Sequence, residues 1–485
     1  MNDKTVYPLG KRRTLIIFFG VMLGMLLASL NQTIVSTALP KIVDDLGGLE
    51  HYSWVFSAYM LGATVTVPIY GKLSDIYGRR PFFVLGIILF SSGAVVAGLA
   101  PSMSVLILGR AVQGLGAGGL IPLAIAVIGD IIPPRQRGKW QGLTGAVFAL
   151  SSVIGPATGG WIADNSSWRW AFFVSLPLAV VALVVVWYGF GAREQHERHS
   201  VDWLGATLLT AGASLGLLAA VWGGTQYPWA SLEIVGMFGV AALLTIAFVS
   251  WERRAAEPIL PLELFRNRTF TAAVSALFPI GAAMFGAIMY VPLFVQRVLG
   301  ESATSSGAVL TPLMLGLIVA SVSAGQIVSR TGRYRGVLLA GPPIMATGFF
   351  LLMQLGTGAS SFMITRDVVV VGLGIGLVMQ TFVVVVQNSV PQQMIGVATA
   401  STQFFRSIGA TAGVTVMGAI VTAHVGATTA STSPDRLAEA LHGAFALALV
   451  LVGIAFVATL FIPHTELRRT MEEKARHPEV LEEAA

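Results

Sequence analysis

Gly71-Lys72-Leu73-Ser74-Asp75-Ile76-Tyr77-Gly78-Arg79 ends one long apolar run, and Gly325-Gln326-Ile327-Val328-Ser329-Arg330-Thr331-Gly332-Arg333 ends another. Gly71 and Gly325 stand 254 residues apart, and so do Gly78 and Gly332. Gly155 and Gly159 repeat as Gly409 and Gly413 at the same spacing. Two independent motifs at one offset indicate duplicated halves.

Apolar runs of about 20 residues, the length that crosses a hydrocarbon core, surround these motifs. Fourteen are present: 14–38, 52–72, 81–100, 104–130, 139–162, 170–191, 203–222, 233–251, 270–295, 303–328, 336–356, 362–387, 397–423 and 441–462. Runs one to six repeat as nine to fourteen and enter from the same side, so seven and eight are an insertion. The expected fold is an all-α polytopic membrane protein with 14 transmembrane helices, in two pseudo-symmetric six-helix bundles plus two inserted helices. The expected divisions are 1–191 for the first bundle, 192–269 for loops and inserted helices, 270–463 for the second bundle and 464–485 for a tail.

Composition excludes the water-soluble alternative. Of 485 residues, 55% are apolar and 11% charged, against about 25% charged in an ordinary soluble protein. Mean hydropathy is +0.76. So few charges cannot cover a soluble fold of this size. The 54 glycines suit close helix packing. The absence of cysteine removes disulfides and thiolate metal sites.

Lysine and arginine set the orientation. With the N-terminus inside, 23 of the 30 fall in cytoplasmic segments and 4 outside. The remaining three, Arg110, Arg366 and Arg406, lie within membrane runs. Both termini are therefore expected in the cytoplasm. The net charge of +6 follows from this asymmetry and needs no nucleic-acid partner.

Gly71 to Arg80, Arg110-Ala111-Val112-Gln113-Gly114-Leu115-Gly116 and Gly155-Pro156-Ala157-Thr158-Gly159-Gly160 resemble motifs of the major facilitator superfamily. Leu30-Asn31-Gln32-Thr33-Ile34-Val35, Trp168-Arg169-Trp170 and Asp202-Trp203-Leu204-Gly205 resemble its fourteen-helix drug:proton antiporter branch, the EmrB/QacA type. The likeness covers nearly the whole chain. It implies a secondary transporter in a bacterial-type inner membrane, exporting hydrophobic or amphipathic small molecules by alternating access. Its coupling ion would be the proton, with no other cofactor, and it would act as a monomer within the lipid bilayer. A lipid or metabolite exporter or flippase of the same fold is the alternative. A membrane-embedded enzyme is the less favoured one, because no cluster of acids and histidines marks a catalytic or metal site. No phosphate-binding loop supports ATP-driven transport.

Several residues carry the expected chemistry. Gly71, Asp75, Gly78, Arg79 and Asp130 lie at one membrane edge, where a carboxylate is costly unless paired. They are read as a latch joining the halves, with a solvated loop as the alternative. Ser329 replaces the acid in the second copy, so a latch there is expected to be weaker. Arg110 lies inside a membrane run, so it is expected to face the cavity and find carbonyls, water or Gln113. With position 31 it is read as a proton-coupling or substrate-contact residue, with a structural anchor to neighbouring carbonyls as the alternative. Gly155-Pro156 removes a backbone donor and bends a helix, while Gly159 and Gly160 open backbone to a partner helix. The resemblance makes this segment a leak-tight antiporter helix. Gly372, Gly374 and Gly376 follow no strand and read as packing glycines.

Asn31 departs from the aspartate that the resemblance leads one to expect. Asparagine has almost the same shape but never ionises, so it imitates the protonated acid. It marks an engineered variant, a natural member using other groups, or a shifted register. Cavity candidates are Gln32, Tyr59, Gln113, Met289, Tyr290, Gln380, Phe382, Gln387, Phe405 and Arg406, since amphipathic ligands need an apolar wall with a few polar points. His196 and His199 read as a solvated loop, Gly426 to Pro434 as an outer loop, and 466–485 as a polar tail.

Overall fold

The computed structural model describes residues 10–46, 52–190, 201–224, 226–301, 303–425 and 433–463. The histidine loop, most of the 426–434 segment and the tail lie outside them. Among the described residues fourteen long helices follow one another. They are α1 (Lys11–Leu46), α2 (Tyr52–Tyr77), α3 (Arg79–Gly98), α4 (Met103–Ile131), α5 (Pro134–Asn165), α6 (Trp170–Gly189, broken at Val174), α7 (Trp203–Trp222) and α8 (Leu232–Glu252). Then come α9 (Arg268–Arg297), α10 (Ala303–Thr331), α11 (Arg335–Leu352), α12 (Ser361–Ser389), α13 (Ile395–Val425) and α14 (Pro434–Leu460).

Twelve of these are long and apolar enough to cross a membrane. The other two, α2 and α5, are 26 and 32 residues long and carry more polar side chains. Several helices outrun the apolar stretches. α1 begins at Lys11 and ends at Leu46, and α2 continues to Tyr77. Hydropathy stops where charge begins, but the i→i−4 ladder satisfies the backbone equally well on both sides of that boundary.

Local chemistry sets the helix ends. Pro133-Pro134 separates α4 from α5, with a proline in the first turn of α5 where no donor is lost. Asp202 caps α7 by accepting from Gly205 N at 2.8 Å, and Trp251 Nε1 donates to the same carboxylate. Gly78 has φ +88° and Gly332 has φ +72°, so both copies of the loop motif turn through a conformation that favours glycine.

The duplication is visible in the packing. Gly62 of α2 lies against Ala111 and Leu115 of α4, and Gly316 of α10 lies against Val369 and Leu373 of α12. Gly114 meets Tyr59 as Gly372 meets Leu313, and Gly118 meets Ala63 as Gly376 meets Leu317. These pairs match α2 to α10 at the 254-residue offset and α4 to α12 four residues further on, about one turn.

Buried apolar clusters divide the same way. One large core is built from residues from Leu264 onward, joined from the first half by Ala126 alone. Two others come wholly from α1 to α6 and the short segments joining them. The inserted pair α7–α8 seats across the seam: Ala206, Leu209 and Phe248 pack with Val67 of α2 and with Ala400 and Phe404 of α13. Trp54 stacks edge-on against Trp222, and Lys72 pairs with Glu257 at 2.9 Å.

Candidate functional site

At the Lys/Arg-rich face, Arg79 joins two acids. Its Nη1 lies 2.6 Å from Asp75 Oδ1, and its Nε donates to Asp130 Oδ2 at 2.8 Å. Arg79 Nη1 also donates to Ser74 Oγ. The side chains of Arg79 and Asp75 are 11% and 7% exposed, so the pairing is largely out of water.

Asp75 also reaches across the seam. Its two oxygens accept from Gly396 N at 3.0 Å and Val397 N at 2.7 Å, in the first turn of α13. Those amides have no partner within their own helix, and the helix dipole favours a negative charge there. Gly396 is needed for the approach, because a Cβ would collide with the Arg79 guanidinium and the Asp75 carboxylate. The hydrophobic reading of α13 gave no signal of this cross-half cap.

A second set of contacts closes the same end. Gln387 of α12 accepts from Gln141 Nε2 at 2.7 Å and donates to Ile125 O and Thr399 Oγ1. Arg137 donates to Ile132 O at 3.0 Å and to Gln387 O at 3.4 Å. Gly138 of α5 meets Gly325 of α10 backbone to backbone, and Gly71 of α2 meets Gly396 and Ala400 of α13. Gln387 is thus a seam residue rather than a cavity contact.

Arg110 is buried within the first bundle. It is 1% exposed, and its Nη1 donates to Asn31 Oδ1 at 2.9 Å and to Gln113 Oε1 at 2.7 Å. Its Nε donates to Val55 O at 3.0 Å, and the guanidinium lies 4.2 Å from the Tyr59 ring centroid. Tyr59 in turn donates to Ala28 O. Every one of these partners belongs to the first bundle, and none is a carboxylate. Asn31 Nδ2 and Gln113 Nε2 find no acceptor among the described residues. Two buried amide donors without partners are costly. A carboxylate at position 31 would turn the first of them into an acceptor beside the arginine.

The remaining candidates separate. Met289 is 59% exposed, on the opposite side of α9 from the core residues Ala287 and Val291. Tyr290 donates to Val414 O at 2.8 Å and clamps α9 to α13. Phe382 is fully buried in the second core. Phe405 packs edge-on against Phe265 and Phe404. Gln32 donates only to Met60 Sδ, within the first half.

Gln380 and Arg406 do line a narrow cavity between the bundles, with room for about one water molecule in this state. Ile125 of α4 and Phe148 of α5 form one wall; Leu277, Met379, Gln380, Val383, Gln403 and Arg406 form the other. Gln403, one turn before Arg406, escaped the sequence reading.

The other motif residues pack. Gly155 accommodates Thr33 of α1, whose hydroxyl donates to Ser151 O at 3.0 Å. α5 runs as one helix through Pro156, Gly159 and Gly160. Gly409 and Gly413 admit the α9 backbone at Phe278 and Ala282, and Gly374 admits Met345. Trp168 donates to Asp45 Oδ2 at 2.8 Å and carries Arg169 on its ring. Asp367 pairs with Arg366 at 2.7 Å.

Two repeated six-helix bundles, a cavity between them and a polar seam at one end define a secondary transporter rather than a channel or a receptor. Residues 21–414 match the model of the Major Facilitator Superfamily, and the chain belongs to that family. It is 42% identical over 415 residues to the multidrug transporter protein MdtP of Bacillus subtilis, covering 86% of this chain and 76% of that one. It is 37% identical over 409 residues to multidrug resistance protein 3 of the same organism, covering 84% and 80%. The solved structure of the proton:xylose symporter XylE superposes with a TM-score of 0.66 over 96% of this chain and 99% of that one, at 14% identity, which shows the shared fold.

Proposed function

We propose that the chain is a multidrug efflux transporter of the fourteen-helix drug:proton antiporter branch, with both termini on the cytoplasmic side of the inner membrane. The names of the B. subtilis relatives support efflux of drugs. The two helices seated across the seam support the fourteen-helix branch.

The observation that carries the alternating-access reading is the Asp75–Arg79–Asp130 group. It ties α2, α3 and α4 together and caps α13 across the seam. Transport then requires this end to open, breaking the cap and the Gln141–Gln387 bond, while the opposite end closes. The small molecule enters between Phe148 and Arg406, where the present one-water cavity must widen as the bundles part.

The proton is the proposed coupling ion, and position 31 is where it would be exchanged. Arg110 holds Asn31 by its side-chain oxygen, the geometry an acid there would also adopt. As asparagine, the position binds no exchangeable proton. Proteoliposome efflux under an imposed pH gradient tests this. Asn31 protein is expected to exchange substrate down its own gradient with little response to pH. Asn31→Asp is expected to respond to the pH gradient. Full gradient-driven efflux by the Asn31 protein places the proton elsewhere.

A further inference from the structure

Arg110 and Arg406 are both arginines in membrane-spanning helices, and their surroundings differ in kind. Arg110 has three oxygen acceptors and an aromatic face. Among the described residues Arg406 has one polar contact, from Nη1 to Met379 Sδ at 3.6 Å, and its buried Nε has no hydrogen-bond partner. Among the described residues no carboxylate pairs with it, and the cavity it lines contains none. Guanidinium keeps its proton in proteins. A charge at such depth costs about 2.5–3.5 kcal/mol on insertion scales and marks a functional group by default.

We propose that Arg406 binds the anionic head of an amphipathic substrate, an organic carboxylate or sulfonate on an apolar body. The fork of the guanidinium can donate to two oxygens of one carboxylate, sulfonate or phosphate group. Gln380 and Gln403, on the same wall, add side-chain amides to receive it. Met379, Ile125 and Phe148 supply an adaptable apolar lining for the body once the bundles part and widen the present one-water cavity. Arg406 belongs to the second bundle and Phe148 to the first, so one ligand touches both. This inference rests on the export reading and narrows its substrate class. The same chemistry is carried by the head group of an anionic lipid.

The full chain in phosphatidylcholine nanodiscs is titrated with pyrenebutyrate and, separately, with its methyl ester, which has the same apolar body and no charge. Arg406→Gln is expected to weaken pyrenebutyrate by about tenfold or more, the loss of one charge-assisted hydrogen bond, and to leave the ester within about twofold. Arg406→Lys is expected to restore most of the affinity. Equal weakening of both probes assigns Arg406 to packing and overturns the proposal, as does unchanged pyrenebutyrate affinity or no binding to the unmodified chain. Adding phosphatidylglycerol separates the sources: competition points to a lipid anion, and its absence to a soluble one, each in support of an anion site. Arg406-dependent binding without export from proteoliposomes overturns the export reading alone. Export of the ester together with Arg406-independent pyrenebutyrate binding overturns the anion site alone.

Discussion

The two halves of this protein share their backbone contacts and differ in their chemistry. Gly71 and Gly325 each let a helix of the opposite bundle approach closely, at α13 and α5 respectively. Gly78 and Gly332 make the same turn. Yet Asp75 becomes Ser329 at the 254-residue offset, and Asp130 becomes Asn388 at the α4-to-α12 offset. Tyr59, Arg110 and Gln113 correspond to Leu313, Val368 and Val371. Arg406 in turn corresponds to Ser152. Packing constrains both copies because each must seal against its neighbours. Charge is costly in the membrane and is kept where it has a partner or a use.

The sharpest way to break this comparison is at the latch. Removing Arg79 leaves Asp75 and Asp130 close together and largely dehydrated. Breaking one partner of a buried ion group costs about 3–5 kcal/mol, here drawn from the state closed at this face. Arg79→Ala should expose the seam to labelling of single cysteines, for which the cysteine-free sequence is a ready background. Arg333→Ala, at the exposed counterpart, should change labelling little. Equal responses in the two halves would remove the asymmetry.

Glycine substitution should instead affect both halves alike. Gly71→Leu and Gly325→Leu each force a side chain into facing helix backbone, with an overpacking cost of about 1–3 kcal/mol. Loss of efflux with normal membrane insertion is expected for both. Efflux that survives one of them and not the other would show that the seam is not symmetric even in packing.

Smaller effects separate neighbouring residues on α9. Tyr290→Phe deletes the bond to Val414 O and should cost about 0.5–1.5 kcal/mol, read as a lowered unfolding midpoint in detergent. Met289→Ala, at a largely exposed position, should change stability by no more than about 0.5 kcal/mol. A larger loss of stability for Met289→Ala would show that the residue packs, and a loss of efflux alone would mark it as a substrate contact.

Hydropathy and the 254-residue spacing by themselves determined the helix count, the duplication and the inserted pair, because burying a helix in lipid requires a long apolar run whatever its neighbours are. The loop motif likewise announced the Asp75–Arg79 approach, since four residues and a glycine turn bring the two together. Which way a side chain points around a buried helix was beyond that reading. A helix apolar all round has no face to read, so Met289, Phe382 and Gln387 looked alike as cavity residues and proved to be an exposed, a core and a seam residue. Contacts between segments hundreds of residues apart leave no local periodicity. The Asp75 cap on α13, the seat of Asn31 under Arg110 and the exposure of Arg406 to the cavity were therefore decided by how the bundles pack.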